Sequence, residues 1–544
     1  MRFRILSILS LLHGCHALIE ENAQRATSVK EAFQHAWTGY SKCAGGKDTV
    51  DPLSCSGKDD RGGWGVTNID AIGTALIMNL TEVANEQINK AVNIDFSKIG
   101  PGEENEGIVS TFETTIRYIG GLLSVHDLLL NGYGDHIPSS ETKAQQLLIQ
   151  AKSLADTLDP AWKTLSGFPG KALNLSAIPP AIYRGPEVGD DNSAASIGGS
   201  QLEYARLSNL TAQSSYVDRS VRAARKLFTP TPETGISLSF SGLVGDSFNI
   251  NTGEMNGEVG GWIGGVKDYY EYLLKLYLYN PEVYPDFLTQ YKLVAKATHD
   301  HLVSHPDGFP NATYLASYAG KQATYYSQHL ACSSGGSLLQ ASVYLKDPNI
   351  AKLGEDLIAG CRFVAKHTAK GIPPEQWIWL DNVDPVPTVE PTDLQTRYID
   401  KHAYWAQNGR EFYYLRPEYL ESLFYGYRIT KNEQYRTWAW EAFQAINTLC
   451  MTPNGFVPIR DVTTGAPRDE KAITDAGLSA MDSFFLAASL KYAYLIFQDD
   501  ELISLDDWVF NGQGHPIRIQ SRDVERKANA ECFKYEWCGN HGWY

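Results

Sequence analysis

The sequence is short of positive charge. Its 544 residues carry 47 Lys and Arg against 63 Asp and Glu, a formal net charge of −16. Nucleic-acid binding needs a basic face to meet phosphate, so the composition argues against that class of partner. Past the amino terminus no run of eighteen apolar residues occurs, which argues against a membrane-spanning helix. Strict internal repeats and low-complexity linkers are missing as well, so neither a solenoid nor a string of tethered domains is indicated. Cysteine is scarce, with 8 in all, and none shows the CxxC spacing of a zinc site.

What is present begins at the amino terminus. Arg2 and Arg4 precede an apolar run from Ile5 to Leu12, and Gly14-Cys15-His16-Ala17 follows. This is the layout of a secretory signal peptide over residues 1–17, cleaved near Ala17. The expected address is the secretory pathway, either the endoplasmic reticulum or Golgi lumen or the extracellular space. Sequons at Asn79, Asn174, Asn209 and Asn311 agree with it. An oxidising compartment permits disulfides. Cys332 and Cys361 lie in neighbouring predicted helices and are the leading pair; Cys43–Cys55 and Cys532–Cys538 would close local loops, leaving Cys450 free.

Helical periodicity dominates the rest. Thr67–Met78 reads as a buried helix with Asp70 among apolar neighbours, and a lone buried carboxylate needs a partner. Glu113 and Arg117 are four apart on another mostly apolar helix, the spacing of an intrahelical ion pair. Further helices are predicted near Ser139–Leu158, Ser196–Leu210, Ser220–Leu227, Lys267–Tyr279, Pro281–Ser304, Ala323–Tyr344, Asn349–Ala369, Pro417–Ile429, Glu433–Cys450 and Asp475–Gln498. Gly and Pro break the pattern into loops or hairpins between Pro160 and Gly189 and between Pro230 and Gly265. One large all-α domain is indicated, and helical hairpins closing into a toroid would bury such faces well.

One stretch combines several signals. In Tyr413-Tyr414-Leu415-Arg416-Pro417-Glu418-Tyr419-Leu420-Glu421, the proline suits the first turn of a helix. Glu418 and Glu421 then share a face of that turn. Carboxylates there can offset the helix dipole or line the mouth of a pocket for a polar ligand. The 30 Tyr and 12 Trp are consistent with a carbohydrate site but serve equally as core.

Gly63-Trp64-Gly65-Val66-Thr67-Asn68-Ile69-Asp70-Ala71, Phe112-Glu113-Thr114-Thr115-Ile116-Arg117 and Tyr272-Leu273-Leu274-Lys275 resemble stretches of glycoside hydrolase family 47. So do His329-Leu330-Ala331-Cys332, Leu415-Arg416-Pro417-Glu418 with Glu421-Ser422, and Val509-Phe510-Asn511 with His515-Pro516. They occur in the family's order over most of the chain. The resemblance implies an (α/α)₇ barrel with loop and β-hairpin insertions over residues 18–516, followed by an extension over 517–544. It implies an inverting, calcium-using α-1,2-mannosidase that takes terminal mannose from mannose-rich oligosaccharides or glycoproteins, with the chain expected to act as a monomer. Carried over by match, Glu113 takes the place of a general acid working through water, and Glu418 that of the base. Arg117, Glu203, His329, Glu375 and Glu421 fall on positions that shape or support the sugar pocket, and Cys332–Cys361 matches the family's disulfide.

This chain departs from the pattern where the family keeps calcium and one acidic residue. Lys267 stands where the family has an Asp, with Asp268 one residue later as its possible replacement. A lysine opening a helix is expected to face water. Gly512 replaces the Thr that gives calcium both a hydroxyl and a carbonyl oxygen, leaving the backbone carbonyl alone. Gln513, Ala488 and Ser196 each stand where a Glu is usual. Calcium takes six to eight oxygens, some of them anionic. The expectation is therefore weak calcium binding or none, and a relative that is weakly catalytic, binds glycans, or acts on another sugar without calcium stands as the alternative.

Overall fold

The computed structural model describes residues 2–100, 106–186, 188–384 and 390–520, with side chains from Ile19 onward, Leu394 excepted. The proposed Cys532–Cys538 loop lies outside the described residues.

The chain folds as paired helices. Helix α1 spans Arg2–Ala44, α2 Val66–Ile77, α3 Thr81–Ala91, α4 Gly120–Leu130 and α5 Ser140–Thr157. Next come α6 at Gln201–Thr211, α7 at Ser215–Lys226, α8 at Lys267–Tyr279 and α9 at Pro285–His301. The remainder are α10 at Ser333–Leu345, α11 at Pro348–His367, α12 at Glu418–Thr430, α13 at Glu433–Cys450 and α14 at Leu490–Leu495. Each even-numbered helix up to α12 packs on the one that follows it, and α14 packs back on α1. The inner ring runs α2, α4, α6, α8, α10, α12 and α14, and the π-helical turn Phe485–Ser489 leading into α14 closes it against α2. These seven pairs make the (α/α)₇ barrel, closed where α14 meets α1 and its leading π turn meets α2.

Burial separates the two layers. Every residue of α2 is buried, as is every residue from Glu418 to Arg428 of α12. Helix α5 instead buries one stripe, Ala144, Leu147, Ala151, Leu154 and Ala155, at helical spacing. An inner helix meets neighbours on all sides and is apolar all round except where it faces the axis. Close approach of α10 to α11 depends on glycine. A Cβ on Gly335 would lie 2.9 Å from the Ile358 nitrogen and 3.0 Å from the Gly354 carbonyl oxygen. The predicted disulfide Cys332–Cys361 spans this same pair, and Cys43–Cys55 also forms, with Cys450 a buried free thiol.

Two helix predictions are corrected. Within Ala323–Tyr344, strands Gln322–Thr324 and Tyr326–Gln328 and a 3₁₀ turn at His329–Cys332 precede α10. Tyr326–Gln328 pairs with Gln376–Ile378, which also pairs with Trp405–Ala406. Such distant partners leave no trace in local periodicity. Asp475–Gln498 is not one helix either. A loop with Gly477 at φ +67° separates the short helix Glu470–Asp475 from the π turn and α14.

A hairpin of Trp508–Phe510 with Pro516–Arg518 plugs one end of the barrel. The Asn511 side chain donates to Ile116 O and to Glu203, and the buried Lys491 amine donates to Gly514 O at 2.6 Å. The hairpin tip is thus fastened to several inner elements at once. Of the sequon asparagines, Asn79, Asn209 and Asn311 are exposed and Asn174 is half-buried; the Asn209 amide donates to Tyr279 OH at 2.6 Å. Among the described residues, no helix is long and apolar enough to cross a membrane.

Candidate active site

Two ion clusters face the barrel axis. In the first, Glu113 ends a short helical turn and Arg117 lies in the π-helical turn Thr114–Ile119 that leads into α4. π turns recur at functional sites because the extra residue re-aims side chains. Arg117 Nε donates to Glu113 Oε2 at 2.5 Å, and its other end donates to Asp482 Oδ1 and Ser483 Oγ, both at 2.8 Å. Arg61 holds the second Asp482 oxygen at 2.7 Å. Against the cost of burial, Arg117 and Arg61 hold the Asp482 carboxyl well below the usual range. The Glu113 side chain is 39% exposed while that of Arg117 is 8%. The pair predicted from spacing therefore forms with its arginine buried and its carboxylate partly exposed.

Asp70, the lone carboxylate of α2, sits beneath this cluster. It accepts from His515 Nε2 at 3.0 Å, Gln513 Nε2 at 2.9 Å and Ser483 Oγ. Its predicted need for partners is met by the hairpin plug. Burial keeps the His515 imidazole below its ordinary range, and its Nε2–H donates a hydrogen bond to Asp70.

The second cluster joins α8 to α12. Here the structure corrects the expectation for Lys267: it turns inward and its side chain is 6% exposed. The ammonium lies 3.2 Å from Asp268 Oδ1 and 3.5 Å from both Glu271 oxygens. Burial opposes that charge, but Asp268, Glu271, Glu418 and Glu421 outweigh it and raise the Lys267 pKa. Lys275, one turn further along, reaches Glu271 at 3.4 Å and the Asn511 carbonyl at 3.4 Å. Against burial, Lys267 and Lys275 hold Glu271 low, assisted by a hydrogen bond from Ser333 Oγ. Burial pushes the Glu421 carboxyl upward. Glu418 is buried and its Oε2 has no hydrogen-bond partner. An unpaired buried carboxylate oxygen costs stability unless something else occupies it.

The remaining candidates complete the lining. Glu375 takes a bidentate clamp from Arg416, both contacts at 2.6 Å, and Arg416 also feels Glu418 and Asp482. That arginine links the two clusters. His329 is buried with Nε2 unpartnered, and burial lowers its pKa to about 4, so the ring is a neutral hydrogen-bonding group. Glu203 accepts from Tyr272 OH at 2.7 Å and Asn511 Nδ2 at 2.8 Å, and burial raises its pKa to about 7.

As a donor set for calcium these residues fit poorly. Gly512 offers a carbonyl and no hydroxyl. A Cβ there would lie 3.3 Å from Asp268 Oδ1 and 3.4 Å from the Tyr272 ring, so the space a side chain would need is crowded. Gln513 is engaged with Asp70, and Ser196 accepts from Ser193 Oγ at 2.9 Å. Among the described residues, no group of three His, Cys, Asp or Glu side chains is disposed to hold a metal ion.

Sequence reasoning missed Asp482 and Arg61, which position Arg117, and the function of Arg416 as a link. Asp482-Ser483 follows a loop and carries no periodic signal. Cavity size was no guide either, since a surface cavity of about 570 Å³ between Asn22, Arg436 and Phe497 contains none of the candidates.

Comparison with known proteins identifies the family. The sequence profile of glycosyl hydrolase family 47 matches residues 32–519. A mannosyl-oligosaccharide alpha-1,2-mannosidase 1B of Aspergillus phoenicis is 36% identical over 513 residues, covering 93% of this chain and 94% of that protein. A mannosyl-oligosaccharide alpha-1,2-mannosidase of Penicillium citrinum is 36% identical over 505 residues, covering 92% and 93%. The solved alpha-1,2-mannosidase from Trichoderma reesei superposes with a TM-score of 0.84 at 33% identity, covering 92% of this chain and 99% of that one.

Proposed function

We propose, from the premise that this chain belongs to glycosyl hydrolase family 47, that it is an inverting glycoside hydrolase removing terminal mannose from mannose-rich glycans. The observation that carries the reading is the pair of separately mounted carboxylates, Glu113 immediately before the π turn and Glu418 at the head of α12. Glu418 has an unpartnered buried oxygen with which to take a proton from an attacking water. Glu113 keeps an exposed face toward the cavity, from which it can protonate the leaving oxygen through a second water. Inversion needs two such groups set apart with room for water between them. Arg117 fixes the acid, and Arg416 with Glu375 fixes the wall beside the base. His329 and Glu421 offer hydrogen bonds to sugar hydroxyls. The signal-like amino terminus and two disulfides support work in the secretory route or outside the cell.

One observation favours a second reading, a glycan-binding relative with little turnover: the Lys267 ammonium stands among the carboxylates where an acid is usual. Hydrolysis of α-1,2-mannobiose, followed by NMR of the first-formed anomer, separates the two. Release of β-mannose that is lost in Glu418→Gln supports hydrolysis. Mannobiose binding in calorimetry with no release supports the second reading and sinks the first.

A further inference from the structure

The floor cluster raises a question of charge. Asp268, Glu271, Glu418 and Glu421 converge from α8 and α12, and Lys267 and Lys275 are the ammonium groups against them. Lys275 is shared between Glu271 and the Asn511 carbonyl. Lys267 is the group that all four carboxylates act upon. Buried carboxylates in such number require a compensating cation, because each unpaired charge in a dry interior is costly.

Three positions that look unrelated in sequence meet here. Lys267 supplies the charge and Asp268 holds it. Gly512, without a Cβ, leaves the Asp268 carboxylate its place: a side chain there would begin 3.3 Å from Asp268 Oδ1. The departures from the family pattern at 267, 268 and 512 thus form one spatial unit.

We propose that Lys267 is the resident cation of the barrel floor. Its tethered ammonium, seated by Asp268 and Glu271, supplies the positive charge that the family resemblance assigns to calcium. The protein then needs no divalent metal for its fold, and removing the ammonium leaves Asp268, Glu271, Glu418 and Glu421 without the cation that all four act upon. A lysine tether has a further consequence: the charge cannot dissociate, so chelators cannot remove it. The inference does not depend on the hydrolytic reading, since its readout is metal content and melting.

The test uses the full chain, treated with chelator, dialysed, assayed for metal and melted with and without millimolar CaCl₂. Wild-type protein is expected to hold far less than one equivalent of calcium as purified, and its Tm to move by less than about 1 °C with the salt. Lys267→Met, which keeps the apolar stem and deletes the charge, is expected to melt roughly 5 °C lower. CaCl₂ should return no more of that loss than NaCl of equal ionic strength, since among the described residues no three acidic side chains are disposed to hold a metal ion. Stoichiometric calcium in the wild type, or a wild-type Tm raised several degrees by calcium, overturns the proposal. A Lys267→Met protein that melts like the wild type also overturns it. Should Lys267→Met fail to fold, the double variant Lys267→Met/Glu421→Gln, which deletes an anion with the cation, is expected to fold. Failure of both would mean that Lys267 does not act through its charge.

Discussion

The arginine cluster and the lysine cluster are joined through Arg416 and differ in how their charges are matched. Arg117 and Arg61 divide Asp482 between them at 2.8 and 2.7 Å, and Arg117 reaches on to Glu113. Each guanidinium has fixed planar donors and each contact is short. The lysine cluster has longer contacts, 3.2–3.5 Å, and more carboxylates than ammonium groups. One carboxylate, Glu271, is held low; another, Glu421, is pushed up. A matched planar cluster makes a rigid mount. An under-neutralised one with a free Glu418 oxygen is where a proton can be taken. The difference also follows from bracing: the hairpin plug supports the arginine side through Asp70, Ser483 and His515. Cys332–Cys361 supports the lysine side, since Ser333 bonds Glu271 and the Cys332 carbonyl accepts from Ser422, next to Glu421.

The largest effect expected is on rate. Glu418→Gln should lower kcat for mannobiose by about 10²–10⁴ with melting little changed; Glu113→Gln should do likewise, and full turnover in either breaks the assignment of acid and base to the two sides. Next, Asp482→Asn strips the arginine mount of its shared anion. Breaking a buried pair costs about 3–5 kcal/mol, and the low end is expected because the Arg61 side chain is 26% exposed. Urea denaturation should register the loss, and kcat should fall more than KM rises, because Glu113 loses its fixed neighbour. An Asp482→Asn protein with unchanged stability would show that the cluster is not a mount.

Cys332→Ala/Cys361→Ala tests the brace of the other side. Losing a native disulfide costs about 2–5 kcal/mol, and non-reducing peptide mapping of the wild type should find the two cysteines linked. The smallest effect is a pH slope. Glu203 titrates near 7 in the fold against an ordinary 4.5, because burial disfavours its charge. Between those values the native state holds a proton that the unfolded chain has released, so stability falls as pH rises from 4.5 to 7 and this contribution is flat above. Its ceiling is about 3 kcal/mol. Glu203→Gln keeps the oxygen that accepts from Tyr272 and Asn511, and calorimetry from pH 5 to 8 should show a shallower fall in Tm than in wild type. An identical slope would mean that burial is not setting this proton.

Much of the helical frame was legible because an outer helix writes its one buried stripe at 3.6-residue spacing. Lys267–Tyr279 and Glu433–Cys450 match their predicted limits, and Thr67–Met78 is displaced by one residue at each end. Inner helices were legible for another reason, as apolar runs interrupted by single charges such as Asp70. The π turns at Thr114–Ile119 and Phe485–Ser489 were not, because one extra residue in a turn leaves composition and periodicity nearly unchanged. The strand pairing of Tyr326–Gln328 with Gln376–Ile378 was hidden by its sequence distance.

By itself the sequence determined the all-helical class, the family pattern and the identity of the departing residues, and made Cys332–Cys361 the leading disulfide pair. These are carried by residue type and local spacing, which a chain displays before it folds. Only the tertiary structure decided where Lys267 points. A lone lysine pays to leave water, so sequence statistics send it outward; four carboxylates gathered from α8 and α12 reverse that sign. The neighbourhood of Lys267, Asp268 and Gly512 is likewise a tertiary fact. Residue 512 comes within reach of α8 because the barrel closes on itself and the hairpin enters its end, and electrostatic energy depends on that distance rather than on separation along the chain.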